Sequence, residues 1–173
     1  MSIIIVEGVD RVGKTTLCEK LENATGYKRF RDDFRYCSNY LDVNVNTEKI
    51  NTLMNLIENW FVNDIILDRF HITEYVYGVV DRGYANKDMI DIDERLSRLG
   101  NVLLVYVKPV DIEKSSKEHG KNLKEHEAMM QSFLRRTSLQ NIQIDYNDID
   151  LFVEMVKIWR NVKWEIKNWY RCM

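Results

Sequence analysis

Proline occurs once in these 173 residues, at Pro109, and no apolar run approaches the roughly 18 residues of a membrane span. One proline and a composition of 45% hydrophobic and 30% charged residues exclude a disordered or collagen-like chain. Cysteine is scarce and scattered, at Cys18, Cys37 and Cys172, with no CxxC pair, which argues against a disulfide framework and against a zinc site. A strong charge of either sign is also missing. The formal net charge of -2 speaks against a protein that coats nucleic acid, so neither a stable nucleic-acid partner nor a membrane is expected. No basic leader or cleavage site precedes the first apolar stretch, and a reducing, cytoplasmic location is expected. Repeats, low-complexity tracts and linkers are absent, and the length suits one domain, residues 1–173, with a full core.

What is present is an alternation. "SIIIVEG" is a β-branched run with the pattern of a strand buried on both faces. "KTTLCEKLENATG" reads as a helix with Leu17, Leu21 and Ala24 on one face and Gly26 as its stop. "YKRF" reads as a short second strand, and the segment 46–63 as a helix, since Ile50, Leu53, Met54, Ile57, Trp60 and Phe61 recur at three and four. "DIILDRF" is a third strand, followed by helices from Ile72 to Val80 and from Asp93 to Leu99. "NVLLVYVKP" is a strand ended by Pro109, and "NIQIDYND" a last short strand before a long terminal helix carrying Trp159, Trp164 and Trp169, which are assigned to core or subunit packing. Strands alternating with helices imply right-handed crossovers and a five-stranded parallel sheet with helices on both faces. Ligands of such α/β sheets bind beyond the carboxyl ends of the strands, so the loops after residues 7, 30, 67, 107 and 146 share one rim. Residues 111–128 are rich in lysine and poor in apolar positions, which fits either a solvated helix face or a lid that closes on phosphates.

Residues 8–15, "GVDRVGKT", match G-x-x-x-x-G-K-[ST] in full, between a strand and a helix as that phosphate-binding loop requires. Gly8 and Gly13 permit backbone angles that a Cβ would block, so successive N–H groups, including those of Val12 and Thr16, can point into one concavity. The helix starting near Lys14 adds its positive N-terminal end. Lys14 would bridge the β- and γ-phosphates of ATP, and Thr15 would offer its hydroxyl to Mg²⁺. A second stretch, "LDRFHITEYVYG" at 67–78, puts Asp68 and Arg69 at a strand's carboxyl end. Spaced by four, Arg69, Thr73 and Tyr77 would share a helix face. Arg69 could hold a second phosphate there, or form a structural ion pair with Asp68. Glu7 and Asp68, both at strand ends, are candidates for holding Mg²⁺ through water.

Together, "EGVDRVGKTT" and "DRFHITEYVY" resemble the signatures of the thymidylate kinases and related deoxynucleoside kinases. The resemblance implies a three-layer P-loop kinase fold and transfer of the γ-phosphoryl of ATP to the 5′-phosphate of a deoxynucleotide, such as dTMP or a modified dUMP. It implies Lys14 and Thr15 at ATP and Mg²⁺, Arg69 at the acceptor phosphate, Tyr77 beneath the deoxyribose, and Asp10 near the sugar's 3′-hydroxyl. In one subclass, similar to "DRxGK[ST]", an arginine at the position of Arg11 stabilises the transferred phosphoryl while the lid lacks a catalytic arginine. Residues 111–134 contain no arginine, in agreement with that subclass. Members often dimerise through helices, and the stretch 50–61 or the terminal helix would serve for a homodimer.

The chain also departs from that pattern. No arginine lies in residues 49–68, where the family has one for the thymine ring, and "YKRFRDDFRYC" gives no unique alignment for the aromatic and arginine that follow the second strand. Phe34 and Arg35 are the preferred pair. Glu74 replaces a small or neutral polar residue near the base: facing it, a carboxylate would favour cytosine or a 5-modified uracil, whereas pointing to solvent or pairing with Arg82 or His71 would leave base choice elsewhere. His71, at a helix start, is assigned to packing rather than to catalysis. The competing functions are a deoxynucleoside kinase acting on a 5′-hydroxyl, which needs a carboxylate base beside that hydroxyl, a kinase of a modified base in DNA, and a P-loop protein that binds nucleotide without turnover.

Overall fold

The computed structural model describes residues 2–31, 43–59, 64–119 and 122–171, the last of these in backbone only beyond residue 160. Phe34, Arg35, Cys37, Trp60, Phe61 and Cys172 lie outside the described residues. Five strands pair in parallel in the order β2-β3-β1-β4-β5, with β1 at Ile3–Glu7, β2 at Lys28–Arg31, β3 at Ile65–Asp68, β4 at Val102–Val107 and β5 at Gln140–Ile144. Every residue of β1 and β3 is buried, as strands covered by helices on both faces must be. Ile5 lies at the centre, fully buried and in register with Leu67 of β3 and Leu104 of β4. The five carboxyl ends form one rim, as the alternation predicts.

On one side α1 (Lys14–Thr25) lies against β1, β2 and β3 and packs on α7 (Ile149–Arg171). α2 (Val43–Asn59), α3 (His71–Arg82), α4 (Asp88–Leu99) and α6 (Leu123–Leu134) pack on one another, with α4 touching β4. α1 is closed by Gly26, whose left-handed φ of 69° lets its N–H reach the Glu22 carbonyl. α4 starts at Asp88, five residues ahead of the sequence expectation, because Asn86 caps it through the Asp88 N–H at 3.2 Å while Asp88 and Asp91 complement its positive end.

Residues 111–128 separate into two parts. Glu113 and Lys117 of α5 (Ile112–His119) are exposed, as are Lys124 and Glu125 of α6, whereas the inner face of α6 buries Leu123, His126 and Met130 and ties Glu127 to the Tyr106 hydroxyl. Trp159 was assigned to core or subunit packing; it is exposed, in a stripe on α7 with Leu151, Met155 and Ile158. His71 occupies the core position expected of it, fully buried with Nε2 2.9 Å from Asp93 Oδ1 and its ring edge-on to Phe70 and Phe133.

Because Ile5 is closed in on both faces and both edges, Ile5→Ala should cost about 2–5 kcal/mol of unfolding free energy in urea titrations, with little change in the denaturant slope.

Candidate functional site

The loop after β1 turns because two of its glycines allow it. A Cβ on Gly8 (φ 147°) would lie 2.6 Å from the Val107 carbonyl oxygen and 2.9 Å from the Val12 side chain. At Gly13 (φ 97°) it would lie 2.5 Å from the ring of Tyr146. Gly13 is the N-cap of α1 and offers no side chain to its amides, and the first turn holds no acid. The orphan N–H groups at this end, followed by the half-buried Thr15 and Thr16, therefore remain available to an anion.

Lys14 is buried beneath the loop, its Nζ donating to the Val9 carbonyl at 2.5 Å. Burial foremost, and then the Arg69 guanidinium, pull its pKa down from 10.5 to about 8, against the opposing pull of Asp10, Glu7 and Asp68. Arg69 stands across from it. Its guanidinium pairs with Asp10 at 2.7 Å, and its backbone adopts φ 71°, left-handed for a residue with a Cβ. Arg11, exposed on the loop, does the same at φ 66°. Such conformations cost about 1–2 kcal/mol each and cluster where function needs them.

Arg69 was placed by its spacing on a helix face with Thr73 and Tyr77. α3 begins only at His71, so Arg69 precedes the helix in a left-handed turn while Thr73 and Tyr77 lie on it, and Arg69 and Tyr77 meet at Asp10. Tyr77 is half-buried beside Asp10; burial first, and then that carboxylate, push its phenol up. The Thr73 hydroxyl points instead to Glu7, at 2.5 Å. Glu7 is 0% exposed, and both of its oxygens are engaged, Oε1 by the N–H groups of Phe70 and Thr73 and Oε2 by that hydroxyl. This does not fit the expected water-mediated hold on Mg²⁺. Asp68 pairs not with Arg69 but with Arg29 of β2, at 2.5 Å through Oδ2.

Glu74 is engaged too. Of the readings its position allowed, pairing with Arg82 is the one found, at 2.9 Å, rather than exposure to solvent, and it is reinforced by the Tyr84 hydroxyl at 2.8 Å and Asn46 at 3.4 Å. With 2% exposure and these donors around it, its carboxylate is no open acceptor for a base. Sequence reasoning missed Arg29, Tyr84 and Tyr146. Gly83, left-handed at φ 70°, gives a signal for Tyr84, because the reversal it makes returns the Tyr84 N–H to the Gly78 carbonyl at 3.0 Å. Among the described residues no cluster of His, Cys, Asp and Glu could hold a metal by itself.

The fold has solved counterparts. The chain is similar, over 95% of its length and 98% of the other's, to the YorR protein from Bacillus subtilis in complex with phosphorylated GDP, with a TM-score of 0.72 at 18% identity. Over 92% of its length and 98% of the other's it is similar to deoxyadenosine kinase from M. mycoides with dCMP and a flexible dCDP as products, with a TM-score of 0.56 at 15% identity. Thymidylate kinase from Candida albicans is similar over 98% of this chain and 92% of that one, with a TM-score of 0.55 at 18% identity. These likenesses show the three-layer P-loop kinase fold, with its five-stranded parallel sheet. No protein-family model matches the chain, and no curated protein matches it.

The lowered pKa of Lys14 sets a pH dependence. An anion needs the ammonium form, so tripolyphosphate affinity measured by calorimetry should fall about tenfold per pH unit between pH 8 and 10, a fall absent in Lys14→Met. The stability of the free protein should move oppositely: between about 8 and 10.5 only the unfolded chain still holds that proton, so stability rises with pH there.

Proposed function

We propose that this protein is a deoxynucleoside monophosphate kinase, transferring the γ-phosphoryl of ATP to the 5′-phosphate of a deoxynucleotide, with dTMP and modified dUMP as the first acceptors to try. The observation that carries this reading is that Arg69, just past the end of β3, is fixed against the phosphate loop that carries Lys14, its N–H on the Val6 carbonyl at 3.0 Å and its guanidinium on Asp10 of the loop at 2.7 Å. Such a pair suits two phosphates brought end to end. The solved kinases of the same fold support the reaction class.

In this reading the triphosphate takes the orphan amides of α1 and the Lys14 ammonium. The acceptor phosphate displaces Asp10 from Arg69, which frees Asp10 to accept from the sugar's 3′-hydroxyl while Tyr77 lies beneath the ring. An acceptor phosphate oxygen bonds to the γ-phosphorus as the bond to the β–γ bridging oxygen breaks, giving ADP and a nucleoside diphosphate. Arg11 meets the charge on the transferring group, and no general base is required because the acceptor is already ionised. Mg²⁺ would neutralise the triphosphate, held by the Thr15 hydroxyl and, through water, by the Asp68 oxygen that Arg29 leaves. A nucleoside acceptor would need a carboxylate at its 5′-hydroxyl, and the complete engagement of Glu7 disfavours it.

ATP consumption should therefore appear with one or more deoxynucleoside monophosphates and with none of the free nucleosides. Turnover of nucleosides alone would refute the reading. Arg11→Ala should lower kcat by about 10³-fold with both KM values nearly unchanged, because its contact forms only in the transition state.

A further inference from the structure

α3 follows β3 without a cap of its own: Phe70, at the N-cap position, makes no side-chain hydrogen bond to the helix. A carboxylate from another strand fills that place. Glu7 Oε1 accepts the Phe70 N–H at 2.9 Å and the Thr73 N–H at 3.4 Å, and Oε2 accepts the Thr73 hydroxyl at 2.5 Å. The preceding residue, Arg69, donates its own N–H to the Val6 carbonyl at 3.0 Å. Two neighbours on β1, Val6 by its backbone and Glu7 by its side chain, thus grip two consecutive amides on either side of the left-handed turn at Arg69. Gly8, which opens the phosphate loop, is the next residue of the same strand end.

We infer that Glu7, with Thr73 as its donor, is a positioning residue that holds Arg69 in its left-handed turn and so sets the distance between the acceptor-phosphate site and the phosphate loop. An ordinary helix cap would need only a serine or aspartate at position 70; a buried carboxylate reaching across from β1 makes both anion sites depend on one residue pair, Glu7 and Gly8. The inference rests on the monophosphate-kinase reading for its kinetic consequence, but its geometric content does not.

The test compares Glu7→Gln and Thr73→Val with Thr73→Ser. Gln keeps the size of Glu7 and one acceptor for the Phe70 N–H; Val deletes the hydroxyl donor; Ser restores it. The first readout is the Nε–Hε signal of Arg69 in ¹⁵N-labelled protein without substrate, identified by its loss in Arg69→Lys. It should shift or broaden in Glu7→Gln and Thr73→Val and keep its native position in Thr73→Ser. The second is kinetic: acceptor KM should rise about tenfold or more in the first two variants, with ATP KM within twofold of native. Lower melting temperatures with the Arg69 signal unmoved in Glu7→Gln would overturn the inference and leave Glu7 a mere cap. If no monophosphate is turned over, the kinase reading fails, while the Arg69 signal still decides the role of Glu7.

Discussion

The parallel pairing of β1 with β3, Val6 opposite Asp68, brings two unusual backbone turns together at one rim. One is the glycine-bearing loop that ends at Lys14, and the other the left-handed Arg69. Neither turn would be worth its conformational cost alone. Side by side, they turn a strand-end crevice into a place with two cations, one buried and one half-exposed, and an aspartate between them.

The charged groups at this rim find partners within the chain. Arg69 is held by Asp10, Lys14 by the Val9 carbonyl, Asp68 by Arg29 and Glu74 by Arg82 and Tyr84. Buried charges demand such partners, since an unpaired one in a low-dielectric setting costs several kcal/mol. The groups that can be released without leaving a deeply buried charge are Asp10 and Arg69, because both sides of that pair touch solvent. Glu74, shut in with its donors, belongs to the framework that shapes α3.

The sheet was legible because β1, β3 and β4 are continuous apolar runs that only two-sided burial explains, and the phosphate loop because its glycine spacing has a backbone reason. Arg69 was legible as a rim residue but not as a turn: counting by fours presumed a helix that starts two residues later. Arg82 was legible as a partner of Glu74, on the same helix, whereas the partners of Asp68 and Glu7 escaped because they come from other elements brought close only by the sheet. The start of α4 was missed for a humbler reason, a capping asparagine inside a polar stretch.

Tyr146 lies far along the chain from the phosphate loop, yet its ring is what a side chain on Gly13 would strike, with Ile149 of α7 3.4 Å from the same Cβ position. The loop is therefore not a self-contained module of strand, turn and first helix. Its outer wall is supplied by the segment that follows β5, so grafting residues 3–25 into another scaffold would carry the motif but leave Gly13 facing an unlined gap.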